Sequence, residues 1–309
     1  MDGKMRILIA YDGSQCADAA LDDLTRAGLP RQAEALILSV ADVWLWSTAG
    51  DEPVLPVTAR IYARSWNEER EEAVQAVEEA RALAERAGER VKSMFPEWEV
   101  SANASGDSPA WGVIKEADRW KADLVVIGSH GHSAIGRFFL GSVSQKVVTE
   151  AHCPVRIARG RSWQKDPIVR IVIGVDGSPD ADAALDAVAK RSWPEGSEVR
   201  VVAALDRAIL TALDWVEFDG EDESAGVRRM IDAAVEKLKA AGLIASPVVK
   251  RDDPKRLLVS EAEEWGADVI FVGARGLRRI ERFLIGSVSA SVATLAHCSV
   301  EVIRPHKDH

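Results

Sequence analysis

The sequence predicts an α/β chain built from two tandem doubly wound domains. Three observations predict it. One set of motifs occurs twice along the chain, short runs of Ile, Val and Leu alternate with segments of helical period, and 309 residues are too many for most single domains but ample for two.

The repeat is direct. Arg6-Ile7-Leu8-Ile9-Ala10-Tyr11-Asp12-Gly13-Ser14 matches Arg170-Ile171-Val172-Ile173-Gly174-Val175-Asp176-Gly177-Ser178, an offset of 176 − 12 = 164, and ADAALD recurs at the same offset from Ala17 and Ala181. Further on, the 39-residue run from Lys121 matches the run from Gly266, an offset of 266 − 121 = 145. The first copy therefore carries 164 − 145 = 19 additional residues, expected between Trp44 and Ser65. The stretch from Gly160 to Pro167 lacks periodicity and is expected to be a linker, which gives domains over 1–160 and 168–309.

Within copy one the expected strands are RILIA, ALILSVA, EVSANA, DLVVIG and PVRIA. They are nearly continuous apolar runs, as in strands covered on both faces. Ser14 is placed to cap the helix that contains ADAALDDL. The run NEEREEAVQAVEEARALAERAGERV has apolar residues at helical spacing and a charged outer face, with Gly88 expected to mark a local break. Ser108-Pro109 begins the next helix with Pro in a favourable first-turn position. Strands that alternate with helices pair in parallel through right-handed crossovers, and ligands of such sheets bind beyond the carboxyl ends of the strands.

Composition narrows the function classes. The residues are 47% hydrophobic and 28% charged, as in ordinary globular proteins. The formal net charge of −10 repels phosphate backbones and argues against bulk nucleic-acid binding, though a small anion can still bind at a local positive spot. Three cysteines, Cys16, Cys153 and Cys298, are too few for a disulfide scaffold, and the last two recur in identical Ala-His-Cys triplets as small buried hydrophobes. The opening MDGKMRILIAYDGS holds only a strand-length apolar run, and no segment reaches the roughly 20 apolar residues of a membrane span. The expected location is the cytoplasm.

The chemistry-bearing motif follows the fourth strand: Gly128-x-x-Gly131, nine residues, then Gly141-Ser142-x-Ser144, and in copy two Gly273-x-x-Gly276, nine residues, then Gly286-Ser287-x-Ser289. Gly128 is expected to permit a sharp turn, Gly131 to let backbone approach an anion, and Gly141 to open a helix whose first amides are unpaired. Those amides, the helix dipole and the Ser142 hydroxyl suit phosphate oxygens. Asp12 and Asp176, at the ends of the first strands, are placed either to accept from ribose hydroxyls or to make an Asp-Gly turn.

Asp-Gly-Ser after strand one, Gly-x-x-Gly-x9-Gly-Ser after strand four and the following His-Cys-Pro-Val resemble the universal stress protein family, in its ATP-binding branch and as a tandem pair covering nearly the whole chain. The resemblance implies a strand order 3-2-1-4-5 in each domain and ATP, alone or with Mg2+, across the carboxyl ends of the central strands. It implies that Asp12 holds the ribose, that the backbone near Val40 meets adenine, and that Gly128, His130, Gly131, Gly141, Ser142, Val143 and Ser144 surround the phosphates. The matching positions in copy two are Asp176, Ala204, Gly273, Arg275, Gly276, Gly286, Ser287, Val288 and Ser289. Ala10, Tyr11 and Gly174, at the same strand ends, complete the expected contacts; Tyr11 either packs on a base or fills space.

The copies also differ. His130 becomes Arg275, and His132, Ser133 and Ala134 become Leu277, Arg278 and Arg279, so copy two is expected to be the more positive beside its phosphate site. Ser105-Gly106-Asp107-Ser108-Pro109 becomes Arg251-Asp252-Asp253-Pro254 without a glycine. His130-x-His132 lacks further ligands nearby, so no metal site is expected. No Walker loop and no nucleophile elbow occur, and Arg137 and Arg282 are read either as aids to phosphoryl transfer or as solvated surface charges. The fifth strands, Val155 to Ala158 and Val300 to Ile303, are expected to pair antiparallel into an intramolecular pseudo-dimer, with a homodimer beyond it left open. Trp44, Trp46 and Trp66 border the insertion and are expected to pack, with a partner surface as the alternative. The leading expectation is an ATP-responsive stress regulator acting on a protein partner, with little or no turnover. A slow ATPase or nucleotidyl-handling enzyme and a partner-binding protein with vestigial sites are the alternatives.

Overall fold

The structure is a computed structural model that describes residues 4–43, 60–131, 140–159, 168–205, 225–277 and 285–305, with backbone alone over 60–69. Trp44, Trp46, the side chain of Trp66 and the linker lie outside the described residues, so the expectations for them are not addressed.

Copy one runs β1 Met5–Ala10, α1 Gln15–Asp23, β2 Ala33–Ala41, α2 Arg60–Met94, β3 Glu99–Gly106, α3 Pro109–Trp120, β4 Leu124–Gly128, α4 Ser142–Glu150 and β5 Val155–Ala158. Copy two runs β6 Arg170–Gly174, α5 Pro179–Lys190, β7 Glu198–Ala204, α6 Ala225–Ala240, β8 Ile244–Lys250, α7 Pro254–Trp265, β9 Val269–Gly273, α8 Ser287–Leu295 and β10 Ser299–Ile303. All ten strands form one sheet in the order β3-β2-β1-β4-β5-β10-β9-β6-β7-β8, which is 3-2-1-4-5 twice over, back to back. Pairing is parallel within each copy and antiparallel only where β5 meets β10, in the register Val155↔Val302, Arg156↔Glu301 and Ile157↔Val300. The expected pseudo-dimer is thus the arrangement found.

The apolar strands are covered on both faces. On one face α3, α4, α7 and α8 share a single core that runs from Leu8 and Val125 through Val155 and Val300 to Val172 and Val202, so it crosses from one copy into the other. On the opposite face the cores stay separate, α1 and α2 covering Ile7, Ile9 and Ile37 in copy one, α5 and α6 covering Ile171, Ile173 and Val201 in copy two. Complete burial of an Ile, Leu or Val side chain contributes about 1.5–3 kcal/mol, so these three clusters hold the sheet.

Caps end and begin the helices much as expected. The Ser14 and Ser178 hydroxyls accept from the amides of Ala17 and Ala181, at 3.2 and 3.3 Å, and Pro109 and Pro254 open α3 and α7. The break expected at Gly88 does not occur: α2 is continuous over 35 residues. A Cβ at Gly88 would lie 3.6 Å from Val100 and 3.7 Å from Ile37, so this glycine lies on the face that packs on the sheet. Among the described residues α2 is also longer than its counterpart α6 by 35 − 16 = 19 residues.

Candidate functional site

Each first strand ends in a left-handed turn. Gly13 and Gly177 both have φ of +78°, which glycine adopts without steric cost, and one carboxylate oxygen of Asp12 and of Asp176 accepts from the amide of Ser14 and Ser178, at 3.0 and 2.9 Å. The Asp-Gly turn is therefore present in both copies. The second oxygen faces the glycine loop of the fourth strand: a Cβ on Gly131 would sit 2.6 Å from Asp12 Oδ2, and one on Gly276 would sit 2.7 Å from Asp176 Oδ2. In copy two this oxygen also accepts from the Leu277 amide at 3.3 Å.

The first glycine has a different reason from the one expected. Neither Gly128 nor Gly273 has a positive φ. A Cβ on Gly128 would meet the Cys16 carbonyl at 2.8 Å, and one on Gly273 would meet the carbonyl carbon of Asp180 at 2.5 Å. The requirement is close approach of the first turn of α1 or α5 to the strand end, not a sharp turn.

Gly141 and Gly286 stand at the N-caps of α4 and α8, where among the described residues no side chain caps the helix. Their own amides donate to Ser129 and Ala274 carbonyls at 2.8 and 2.7 Å, which fixes each helix start against its strand end. The next amides, Ser142 and Val143 in copy one and Ser287 and Val288 in copy two, belong to an uncapped first turn with its dipole pointing at the sheet rim. The Ser144 and Ser289 hydroxyls donate to the carbonyls of Gly128 and Gly273, at 2.7 and 2.5 Å, so those side chains brace helix to strand.

In copy two these pieces enclose a cleft of about 320 Å³. All of the second-copy candidates line it, from Gly174 and Asp176 at one wall to the run Gly286–Ser289 at the other. Val202, Ala204, Leu257 and Leu258 make an apolar end. The copy-one residues occupy the same places in the same elements. Val40, one residue before the end of β2, lies beside α3, so close that a Cβ on Gly112 would meet it at 2.8 Å, and Ala10 ends β1 in the shared core. The Tyr11 ring packs in the α1–α2 layer and its hydroxyl donates to Asp18 at 2.9 Å, so its side chain takes the space-filling alternative. Burial and the neighbouring Asp18 carboxylate hold its phenol above the ordinary range.

The expected extra positive charge of copy two is corrected at Arg275. Its guanidinium donates to Asp180 at 3.0 and 3.3 Å and its amide donates to the same carboxylate at 3.1 Å, with Asp180 only 2% exposed. The cation is spent on an internal partner. In copy one Cys16 stands at the matching position (180 − 164 = 16) and His130 Nδ1 lies 3.0 Å from Ser129 Oγ. Arg137, Arg278, Arg279 and Arg282, with His132, Ser133 and Ala134, lie outside the described residues.

Sequence reasoning missed Ser178 and Lys255, which line the second cleft, and Asp180, which holds the lining residue Arg275 from behind. The paired change Cys16/His130 to Asp180/Arg275, an acid and a base appearing together, was the available signal for Asp180. Loss of the loop glycine does not close this cleft either: Asp253 caps α7 by accepting from the Lys255 amide at 2.9 Å, and Asp253, Pro254 and Lys255 form its wall. Ser108 is the matching N-cap of copy one (253 − 145 = 108), and Asp107 before it is held below the ordinary carboxylate range, chiefly by its bond from Lys115.

Two doubly wound domains joined through their fifth strands, each with a glycine-led helix at the rim, define a tandem protein of the doubly wound α/β class. The chain belongs to the universal stress protein family, whose sequence profile matches residues 4–159 and 168–304. It is 27% identical over 303 residues to universal stress protein Rv2005c of Mycobacterium tuberculosis, covering 96% of each chain. It is 30% identical over 154 residues to universal stress protein YxiE of Bacillus subtilis, covering 50% of this chain and 98% of that one. Among solved structures, a universal stress protein from Archaeoglobus fulgidus superimposes with a TM-score of 0.62 at 22% identity, covering 97% of this chain and 98% of the other, which agrees with the tandem fold.

Proposed function

We propose that each domain binds ATP, alone or with Mg2+, at the carboxyl ends of its central strands, and that the chain acts in the cytoplasm as a nucleotide-dependent stress-response regulator with little or no turnover. One observation carries this reading: α4 and α8, alike in both copies, begin at a glycine N-cap, which has no side chain of its own to bond the first-turn amides. Such amides are the standing partners of phosphate oxygens. In the proposed pose the amides of Ser142 to Ser144 and of Ser287 to Ser289 hold phosphates, with Gly131, His130, Gly276 and Arg275 beside them. Asp12 and Asp176 hold the ribose, and the strand ends at Val40 and Ala204 meet the base. Hydrolysis needs a group that activates water and charge that stabilises the leaving phosphate. Arg275 is tied to Asp180, which withholds one such charge. A regulatory protein is the partner that the nucleotide state would select, and a homodimer of the tandem chain is its further assembly.

The test is stoichiometric. Purified protein is dialysed against labelled ATP, bound nucleotide is identified by mass, and phosphate release is followed for hours. We expect two ATP per chain with little phosphate released. Gly131→Val and Gly276→Val, whose side chains would collide with Asp12 and Asp176, are each expected to leave one ATP bound, and the double variant none. Two ATP retained by a folded double variant would refute the site. Several turnovers per minute would refute the regulator in favour of an enzyme.

A further inference from the structure

The register at the seam between the copies places one residue pair on its approximate two-fold axis. Val155 faces Val302, Arg156 faces Glu301 and Ile157 faces Val300. Under the repeat offset of 145, positions 155, 156 and 157 match 300, 301 and 302. Position 156 therefore meets its own repeat counterpart, and a seam between two like copies would set Arg156 against Arg156, or Glu301 against Glu301. Some seam contacts are the same from both sides. Arg159, leaving β5, donates to the Ala293 carbonyl at 2.5 Å, and Arg304, leaving β10, donates to the matching Val148 carbonyl at 2.5 Å. Such contacts would serve any pairing of copies.

The contacts on the face covered by α1 and α5 would not. Arg156 donates to Asp23 at 2.5 Å and to Glu301 at 3.1 Å, and Arg191 donates to Glu301 and to the Ala27 carbonyl, both at 2.8 Å. The Ser299 hydroxyl donates to Asp23 at 2.7 Å and accepts from the Arg159 amide at 3.1 Å. The repeat counterparts of Asp23, Arg191 and Ser299 are Ala187, Ala27 and Pro154. The Trp193 ring of copy two lies over Gly28 of copy one, where a Cβ would be 2.8 Å from it, and the counterparts of these two are Leu29 and Ser192. A pair of first copies would bring two guanidiniums together where Arg156 is 1% exposed, would lose the Ser299 donor to Pro154, and would leave the space over Gly28 to the smaller Leu29. A pair of second copies would bring two carboxylates together, would face Ser299 with Ala187, and would set Trp193 against Ser192, which has a side chain where Gly28 has none. Each copy carries its own counter-ion, so a like pair is not charged as a whole; it lacks the bonds across the seam. Like charges directly opposed on neighbouring strands are destabilising, and at an interface their juxtaposition suppresses wrong partners.

We infer that the fifth-strand surfaces of the two copies are a heterospecific pair: each accepts the unlike copy, of its own chain or of a second chain by reciprocal exchange, and rejects its own kind. On a tandem chain, self-complementary surfaces would let first copies join across chains at one end and second copies at the other, which builds open-ended polymers. The asymmetric set closes the pairing inside one chain. A dimer of chains must then exchange copies or use another surface.

Seam grafts on the full-length chain test it. Ala187→Asp, Arg191→Ala, Ser299→Pro and Glu301→Arg together give copy two the polar set of copy one. Asp23→Ala, Ala27→Arg, Pro154→Ser and Arg156→Glu give copy one that of copy two. A chain with either graft has two like surfaces and is expected to unfold about 10 °C below wild type. A chain with both grafts has unlike surfaces again, exchanged between the copies, and is expected to regain most of that loss. The two single-graft chains, co-expressed with different tags, are expected to purify together as a one-to-one complex, because each finds its unlike surface on the other. Neither is expected to purify with a differently tagged copy of itself. Where a single graft does not fold alone, its recovery in the one-to-one complex reads the same preference. A single-graft chain as stable as wild type, a double-graft chain no better than either, co-expressed grafts that stay apart, or a graft that pairs with itself would overturn the inference.

Discussion

At the scale of single residues, the same motif letter serves by different physics in different places. Gly13 needs a left-handed φ, Gly128 needs the space that Cys16 fills, and Gly131 needs the space that Asp12 fills. Spacing alone announced that these glycines mattered, but only the packing separates a turn from a close approach. The paired strand-end residues show compensation of volume: where copy one has Ala10 and Val113 in its core, copy two has Gly174 and Leu258, and a Cβ on Gly174 would meet Leu258 at 3.1 Å. The cysteines follow the same logic of environment. Burial pushes the Cys153 thiol up to about 12, and Cys298 is 2% exposed, whereas Cys16 is half-buried at the start of α1. Because the thiolate is the nucleophile, alkylation of native protein at pH 8 is expected to modify Cys16 first and to leave Cys153 and Cys298 protected until denaturant is added. Peptide mapping of the labelled protein checks this, and early labelling of Cys153 would contradict it.

At the scale of elements, strand identity and register were legible because the sheet is covered on both faces and its runs are almost wholly apolar. The helix starts at Ser14 and Ser108 were legible for the same kind of reason, a capping residue followed by helical periodicity. Two features were hidden. Gly88 carries a low helix propensity, yet α2 continues through it because this face lies against Ile37 and Val100. Arg156 and Glu301 interrupt two apolar strands, and their charges are visible in the sequence, but the partners that make burial tolerable come from α1 and from the end of α5. Their common repeat position (156 + 145 = 301), with opposite sign, was the signal that these two strands lie antiparallel and face each other. Of the site, the glycines, Asp12 and Asp176 were legible by spacing, while Asp180 was masked by its position inside a helix turn. The repeat also exposes a strained cap. After α3 the chain turns through Lys121 at φ +55°, and after α7 through Gly266 at φ +72°. A side chain in that conformation is disfavoured, so Lys121→Gly is expected to stabilise copy one by about 0.5–1 kcal/mol. Chemical denaturation of the variant beside wild type measures it, and a lower midpoint would contradict the argument.

At the scale of the whole molecule, the seam between the copies combines an apolar face with a buried charge cluster. One core spans both domains beneath α3, α4, α7 and α8. On the other face of the same two strands, Arg156 donates to Asp23 at 2.5 Å and to Glu301 at 3.1 Å, Arg191 donates to Glu301, and the Ser299 hydroxyl donates to Asp23 at 2.7 Å. Arg156, Asp23 and Glu301 are each at most 1% exposed. The Asp23 and Glu301 carboxylates hold the Arg156 guanidinium above its ordinary range although burial acts the other way. A cluster of this kind gains little over apolar packing while it is complete, but removal of one member strands a charge in a dry place. Asp23 is the telling member, because it belongs to α1 of copy one while Glu301 and Arg191 belong to copy two. Asp23→Ala is accordingly expected to cost about 3–5 kcal/mol. The cost falls on the surface that both domains share, so the loss is expected to lower the unfolding of the entire chain, not of copy one alone. Differential scanning calorimetry distinguishes the cases: one transition, displaced downward as a unit, follows from a seam that binds the domains into a single cooperative structure. A variant trace that splits, with copy two still melting at the wild-type temperature, would mean that the domains fold independently and that the ten-stranded sheet is two sheets in contact.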